Sequence, residues 1–283
     1  MKKILCVLGC ILILFGCAST ETETVQTETP KEETPKTETQ DSVAAAPAVS
    51  PDKTAHYNQG NAYYAKHNFD NAINEYTDAL KIDPEYTDAY MGRGNVYSGK
   101  LEYERAQADY SEAAKRNSQY DHYARGYSAY TAGNYDQAIA EFNQAIEQKA
   151  NLFAAYNDRG LAWTGKGNTA KAIEDYNEAL KLNSVSAFPY NNRGNAYLRQ
   201  KKYDQAVSDY SQAINLYPKL LFPYYGRGFA YYKQGEYDKA IDDYTKAIEM
   251  APGETFLFGL RGNAYQAKGL KDEAKADYEK AKK

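Results

Sequence analysis

Cysteine and histidine are the residue types in this chain whose chemistry could support catalysis or metal binding. The cysteines Cys6, Cys10 and Cys17 all lie within the first seventeen residues, so no disulfide or thiolate metal site can form further along the chain. Of the three histidines, His56 and His67 stand about 16 Å apart along a helix axis, too far to share a metal ion. We therefore expect neither a metal site nor a cofactor.

Motifs of nucleophilic catalysis and of nucleotide binding are missing as well. The sequence has no Walker-type loop, no Gly-x-Ser-x-Gly elbow and no His-Glu-x-x-His. Gly92-Arg93-Gly94 belongs to a repeated pattern described below and is not a dinucleotide loop. The formal net charge is −4 and no basic stripe is present, which argues against a nucleic-acid partner. We predict that the protein is not an enzyme.

Cys17 is the cysteine with a recognisable context. Two lysines precede an apolar run from Ile4 to Phe15, which is followed by Gly16 and Cys17. This is the order of a secretory leader. In helical form the run would reach about 18 Å, well short of the ~30 Å hydrocarbon core, so a permanent spanning helix is disfavoured. The alternative is a leader that ordinary signal peptidase removes without lipid attachment.

The run Leu14-Phe15-Gly16-Cys17 resembles the bacterial lipobox, although Phe15 stands where the pattern usually has a smaller residue. The resemblance implies that residues 1–16 are a lipoprotein signal peptide and that Cys17 becomes the lipidated first residue. The partner of this end of the protein is then a membrane, held through more than one acyl chain. Ala18 follows in place of the aspartate associated with inner-membrane retention. We expect a lipid-anchored protein of the bacterial envelope, with the outer membrane favoured.

Residues 17–52 are rich in threonine, glutamate, proline and alanine, with few larger apolar residues. Such a composition cannot bury a core. We predict a disordered tether with a root-mean-square span of roughly 30 to 35 Å. The acidic run could instead be an interaction motif, but solvated charge runs are more often spacers.

From residue 53 onwards the sequence repeats. Glycines recur every 34 residues, except for one interval of 32, at Gly60, Gly94, Gly126, Gly160, Gly194, Gly228 and Gly262. Each glycine is followed twelve residues later by alanine, after a further four residues by tyrosine or phenylalanine, and after three more by alanine. Seven complete matches at one period indicate a repeat architecture.

This pattern resembles the tetratricopeptide repeat, which has small residues at repeat positions 8, 20 and 27 and an aromatic residue at position 24. The resemblance covers the chain beyond the tether, with repeats 53–86, 87–118, 119–152, 153–186, 187–220, 221–254 and 255–283. It implies an all-α fold, an α-solenoid of seven antiparallel helix-turn-helix repeats that form a right-handed superhelix. The second repeat is two residues shorter than the others.

Physical considerations predict the same packing independently. Spacings of three and four residues define one helical face. Small residues at positions 8 and 20 allow two helices to approach closely, while the ring at position 24 fills the space next to them. Many of the 29 tyrosines fall at repeat positions 11, 17 and 24, and these are expected to be core residues rather than ligand-stacking residues.

Arginine and acidic residues also recur at fixed positions. Position 7 is arginine in six repeats, and position 23 is aspartate or glutamate in all seven. A row of anion-binding arginines is one interpretation. We favour a ladder of helix-to-helix ion pairs, because a ligand site should break the symmetry of the repeat, and we expect each pair to fix packing geometry.

In tetratricopeptide proteins the first helix of each repeat lines the concave surface, and its positions 5 and 9 vary in this chain. The candidate groove residues are Tyr57, Asn61, Asn95, Tyr123, Tyr127, Asn157, Asn191, Asn195, Tyr225, Phe229 and Asn263. Amides can pair with a peptide backbone and tyrosine offers contact area at low entropy cost. We therefore predict a protein or peptide ligand in the concave groove, and a scaffold or assembly-adaptor function.

A groove of tyrosine and asparagine would also suit cell-wall or exported glycan, which leaves an accessory carbohydrate-binding lipoprotein as the alternative. Acidic chaperone tails are bound in the family by lysine at position 5, and no lysine occupies that position here. Any single asparagine could also be plain solvated surface.

Overall fold

The computed structural model describes residues 52–282. Within this range the chain forms fourteen α-helices and one short 3-10 helix, and no strand. The leader, Cys17 and the tether, and with them the predictions made for them, lie outside the described residues. Among the helices described, none is both long and apolar enough to cross a membrane.

The helices form seven successive hairpins, and the most extensive contacts are those within a hairpin and then those between neighbouring hairpins. This confirms the predicted all-α solenoid. In chain order the helices are α1 Lys53–Ala65, α2 Phe69–Ile82, α3 Thr87–Gly99, α4 Tyr103–Arg116, α5 Asp121–Thr131, α6 Tyr135–Glu147, α7 Leu152–Gly165, α8 Thr169–Leu182, α9 Ala187–Arg199, α10 Tyr203–Leu216, α11 Leu221–Gln234, α12 Tyr237–Met250, α13 Thr255–Lys268 and α14 Lys271–Ala281.

The turn inside every hairpin contains one residue with positive φ, at repeat position 15. In four hairpins it is glycine, for example Gly235 with φ 81°, which adopts this left-handed conformation without a steric penalty. The other three hairpins have His67, Leu101 and Lys201, with φ of 53°, 63° and 58°. A side chain in this region costs about 1 kcal/mol or more, so these three turns are held by contacts elsewhere.

The repeated glycine and the repeated aromatic residue pack directly against each other. A Cβ atom added to Gly94 would lie 2.6 Å from the Tyr110 ring, and one added to Gly194 would lie 2.9 Å from the Tyr210 ring. Both rings are fully buried. The absence of a side chain at position 8 is thus what allows the ring at position 24 to lie against the first helix, as the spacing predicts.

The arginine ladder is also present. Arg93, Arg159, Arg193, Arg227 and Arg261 each form an ion pair with the aspartate sixteen residues later in the same hairpin. The remaining Nη1 donates to a side chain of the preceding hairpin: from Arg193 to Asn177 Oδ1 at 2.6 Å, and from Arg227 to Ser211 Oγ at 2.9 Å. Each of these arginines therefore connects three helices. This confirms the structural interpretation of the row.

The ladder is interrupted at the third hairpin, after the short second repeat. There the chain forms a 3-10 helix, Ser118–Tyr120, before α5. Arg125 contacts Glu141 at 3.2 Å and Asp121 at 3.1 Å, and its side chain is 48% exposed. Within the described part of the chain its polar partners all belong to its own hairpin. The two missing residues thus change how the third hairpin packs on the second.

The first hairpin also contacts the fifth, far away in the sequence. The ring of His67 stacks on Tyr217 with centroids 4.6 Å apart, and Phe69 meets Tyr217 edge-on at 5.4 Å. Phe69 and Phe188 lie 6.1 Å apart. We call His67, Phe69, Phe188 and Tyr217 the clasp. It joins the first and the fifth hairpin by direct ring contacts.

Candidate functional site

The predicted groove residues fall into two classes in the structure. Tyr123, Tyr127, Tyr225 and Asn191 are buried, with exposed fractions of 0%, 1%, 4% and 7%. Their prediction as open groove residues is therefore wrong. The others remain at the surface, exposed in the case of Asn61 and partly buried for Tyr57, Asn95, Asn157, Asn195, Phe229 and Asn263.

Tyr123 and Tyr127 are buried because of the altered packing after the short second repeat. Their rings both meet the Tyr110 ring edge-on, with centroids 4.8 Å apart in each case. The Tyr127 hydroxyl donates to Ser98 Oγ at 3.2 Å. The two tyrosines therefore join the second hairpin to the third, and they are core residues.

Tyr225 is buried by its aromatic neighbours. It lies edge-on to Phe222 at 6.1 Å and to Phe256 at 5.7 Å. Both neighbours occupy position 2, one in the same hairpin and one in the next. The two rings at position 2 thus cover Tyr225 at position 5, and their presence in the sequence is the signal for its burial.

The asparagines at position 9 accept hydrogen bonds from the tyrosines at position 24, most of which are buried. The hydroxyl at position 24 donates to the amide oxygen at position 9 of its own hairpin, from Tyr210 to Asn195 at 2.6 Å and from Tyr110 to Asn95 at 3.0 Å. Asn61 and Asn263 accept in the same way from Tyr76 and Tyr278. The signal was available in the sequence, since every asparagine at position 9 precedes a tyrosine by fifteen residues. Their amide groups keep donors free for a ligand, but their oxygens are partly engaged.

An aromatic surface remains on the first helices of the later hairpins. Phe229 and Tyr232 are partly buried and lie 6.5 Å apart. The ammonium group of exposed Lys233 lies 5.0 Å from the centre of the Phe229 ring. We call Phe229, Tyr232 and Lys233 the C-terminal patch. It offers apolar contact area next to a cation.

A small cavity of about 170 Å³ lies between the first, second and third hairpins. Its lining includes Tyr57, Tyr64 and Tyr120 together with Asn61 and Asp88. Exposed Asp88 accepts a hydrogen bond from the Tyr120 hydroxyl at 3.0 Å. The cavity is smaller than the ~300–1,000 Å³ of typical small-molecule sites, so it fits one side chain of a larger ligand better than a free ligand.

One charged group in the concave interior was not identified from the sequence. Asp158, which lies in α7 at repeat position 6, is 4% exposed. Its carboxylate accepts from the Tyr123 hydroxyl at 2.7 Å and from the Asn157 amide at 3.0 Å. Burial raises the pKa of Asp158 to about 6. An acidic residue at position 6 occurs in no other repeat of this chain, and this break in symmetry is the signal that could have found it.

Metal and histidine chemistry find no support in the described residues. No group of three or more metal-ligating side chains is present between residues 52 and 282. His56 and His122, both at repeat position 4, lie 2.7 Å from Glu75 and Glu141 at position 23. In the two hairpins that have glutamate in place of aspartate, histidine thus contributes to the helix-to-helix pair.

Comparison with known proteins agrees with this architecture. Family models of the tetratricopeptide repeat match residues 95–145, 123–192, 223–254 and 257–283. A further TPR repeat model matches residues 60–100 and 194–235. Together they cover nearly all of the helical region. No curated protein sequence matches the chain.

Solved structures are similar over part of the chain. Two crystal structures of MamA are 29% and 31% identical, with TM-scores of 0.54 and 0.52; the aligned regions cover 58% and 55% of this chain and 89% and 91% of those chains. The Cut9–Hcn1 hetero-tetramer of APC/C has a TM-score of 0.58 at 19% identity, over 75% of this chain and 42% of that one, and shows the fold alone. With its seven helical hairpins and its repeat matches, the chain belongs to the tetratricopeptide repeat family.

Proposed function

We propose that the protein is a membrane-anchored scaffold that binds a protein or peptide partner along the concave face of its first helices. The observation that supports this proposal is the difference between polar side chains that are paired inside the fold and side chains that remain available to a ligand. The repeated arginines form ion pairs with aspartates inside the fold. The variable positions of the first helices, in contrast, present amides and aromatic rings. Binding surfaces of repeat proteins are built from such variable positions.

The available surface favours a polypeptide ligand. Asn157, Asn195 and Asn263 are partly buried and carry amide groups that can donate to backbone carbonyls. The C-terminal patch adds rigid apolar area, the kind that anchors most interfaces. A partner that lies along α9, α11 and α13 would contact both features.

The anchor is the second part of the proposal. The lipobox resemblance at Leu14 to Cys17 supports lipid attachment to Cys17, and the following residues supply a spacer. The membrane would then be the bacterial outer membrane. A scaffold held in this way concentrates its partner at the envelope surface, because tethering raises the effective local concentration.

The test is affinity capture from crosslinked cells that express the full-length protein. A stoichiometric protein partner that is retained by the full chain, and lost when Phe229 and Lys233 are both replaced by alanine, supports the scaffold. A matched control is Lys181→Ala together with Glu178→Ala, which removes an exposed pair on α8. Absence of any stoichiometric protein would contradict the proposal.

Carbohydrate binding is the second candidate. It is favoured by the cavity of the first three hairpins, where Tyr57, Tyr64, Tyr120, Asn61 and Asp88 combine ring faces with polar groups, as sugar sites require. Its small volume is the argument against a free oligosaccharide. Retention of purified cell-wall glycan by the wild-type protein, and its loss in Tyr57→Ala, would favour this candidate.

A further inference from the structure

We propose that Asp158 and the three asparagines next to it form a subsite for a cationic hydrogen-bond donor, the ammonium or guanidinium group of a lysine or arginine side chain of the partner. The inference rests on the proposed function and names the chemistry of part of its ligand. We call Asp158, Asn157, Asn192 and Asn191 the amide relay.

The amide relay is a directed chain of hydrogen bonds across two hairpins. The Asn191 amide group donates to Asn192 Oδ1 at 3.3 Å, and the Asn192 amide group donates to Asn157 Oδ1 at 3.1 Å. The Asn157 amide group then donates to Asp158 Oδ1 at 3.0 Å. Every donor points towards the carboxylate, so the chain is polarised by that charge.

The far end of this chain is an unused acceptor. Asn191 is 7% exposed, and its Oδ1 has no hydrogen-bond partner among the described residues. Buried acceptors without a partner are uncommon in folded proteins and call for an explanation. This oxygen is covered in the structure, so a ligand must displace neighbouring side chains to donate to it, and it would then complete a chain whose other end carries the negative charge.

The carboxylate itself has no cation within the described part of the chain. Its neighbour Arg159 is engaged with Asp175 and Asn143. The titratable groups that feel Asp158 are the hydroxyls of Tyr64, Tyr110, Tyr123 and Tyr127; their pKa values are raised, chiefly by burial and further by this charge. A buried acid without a counter-charge destabilises the fold in its ionised form, which is the situation expected at a binding site.

The class of ligand follows from these groups. The buried polar atom of the amide relay that lacks a partner is the acceptor Asn191 Oδ1, so a ligand that satisfies it must donate. The carboxylate makes a positive charge favourable. Asn157 and Asn192 are only partly buried, so a side chain can approach beside them from the concave side. An anionic ligand would be repelled by the Asp158 carboxylate.

The experiment follows the Asp158 carboxyl carbon by NMR in the full-length protein, labelled at aspartate and purified in detergent. The probe is n-butylammonium chloride, an analogue of the lysine side chain, and the reference is sodium chloride at the same ionic strength. A cation that binds the ionised form lowers the pKa of Asp158 by linkage, so we expect a fall of about half a unit or more with butylammonium and a smaller change with sodium. Equal shifts with both salts, or no shift with butylammonium, would overturn the proposal.

Variants distinguish binding of the cation at the subsite from its nonspecific electrostatic attraction to the protein. Asp158→Asn assigns the signal, and Asn191→Ala should weaken the butylammonium effect at least about twofold because the open acceptor is gone. Asp238→Asn, which removes an exposed acid of α12 outside the amide relay, and Asn58→Ala, an exposed amide of α1, should leave the effect unchanged. If Asp238→Asn weakens it as much as Asn191→Ala does, the probe responds to net charge and the subsite is refuted. Partner capture that persists unchanged in Asp158→Asn would refute the subsite while leaving the scaffold function standing.

Discussion

The guanidinium group of Arg193 forms a two-point ion pair with Asp209, from Nε to Oδ2 at 2.8 Å and from Nη2 to Oδ1 at 2.7 Å. The same side chain donates to Asn177 of the preceding hairpin. One residue thereby fixes both the geometry within a repeat and the stacking between repeats. Because five hairpins share this arrangement, the interaction defines the spacing of the solenoid rather than a ligand site.

Replacing Arg193 by alanine should destabilise the fold. It leaves the carboxylate of Asp209, whose side chain is 7% exposed, without its cation, at a cost of about 2 to 4 kcal/mol. Arg125→Ala is the matched control, because Arg125 is 48% exposed and should cost about 1 kcal/mol or less. Urea denaturation measures both. Equal losses, or a loss of partner capture by Arg193→Ala at unchanged stability, would contradict a structural role.

Tyr127 and Phe229 should separate folding from binding, although both occupy repeat position 9. Tyr127 is 1% exposed, so Tyr127→Ala should cost about 3 to 5 kcal/mol of stability. Phe229 is partly exposed, so Phe229→Ala should cost less than about 1.5 kcal/mol in folding yet about 2 kcal/mol or more in partner binding if it is an anchor. Thermal unfolding and affinity measurements on the two single variants show which ring contributes to folding and which to partner binding. A destabilised Phe229→Ala protein would mean that this ring, too, is part of the core.

The clasp should weaken in acid. Burial lowers the pKa of His67, and a hydrogen bond with the backbone of Val185 opposes this shift only in part. The folded state therefore binds this proton less tightly than the unfolded chain, whose histidine pKa is about 6.5. The stability that neutral His67 contributes is present above that pH and is lost as the pH falls below it.

The measurement for the clasp is hydrogen exchange in the turns around residues 67 and 217 at neutral and at acidic pH. Charged groups in the cleft next to His67 include Asp70 and Lys100, which are paired with each other. His67→Phe keeps an aromatic ring that cannot be protonated, so it should remove the pH-dependent part of the opening. Equal acid sensitivity in His67→Phe and wild type would assign the effect to other groups, such as the carboxylates.

Cys17→Ser should release the protein from membranes. The basis is the leader followed by the lipobox resemblance, and stable anchoring requires the lipid chains. Detergent phase partition measures the change, which should move the variant into the aqueous phase. Cys10→Ser, inside the leader, is the matched control and should partition as the wild type does. A Cys17→Ser variant that still sediments with membranes would exclude lipidation at this residue.

The sequence alone was sufficient for the fold because the repeat places the same packing contacts seven times. Gly94 with Tyr110 and Arg193 with Asp209 could be anticipated from their fixed spacing. The candidate binding site could not be anticipated in the same way, since it depends on departures from the repeat. The two-residue deletion before Gln119 buries Tyr123 and Tyr127, and the aromatic rings at position 2 bury Tyr225.

The contact between the first and the fifth hairpin could not be predicted from the sequence either. The clasp joins His67 to Tyr217 across four hairpins, and no periodic pattern reports a contact between residues so far apart. Asp158 was overlooked for a different reason. Its burial depends on neighbours such as Tyr123, which contacts it only because the first helices of the third and fourth hairpins lie side by side.

The most direct test of the central claim, that the partner lies on the concave face, is site-specific photo-crosslinking in cells. A benzoyl-phenylalanine residue placed at Phe229 should capture the same partner that affinity purification retains. The same group placed at Leu182, an exposed residue at the end of α8 that is 50% accessible, should capture little of it. Capture from Leu182 with none from Phe229 would move the partner away from the concave face and contradict the account.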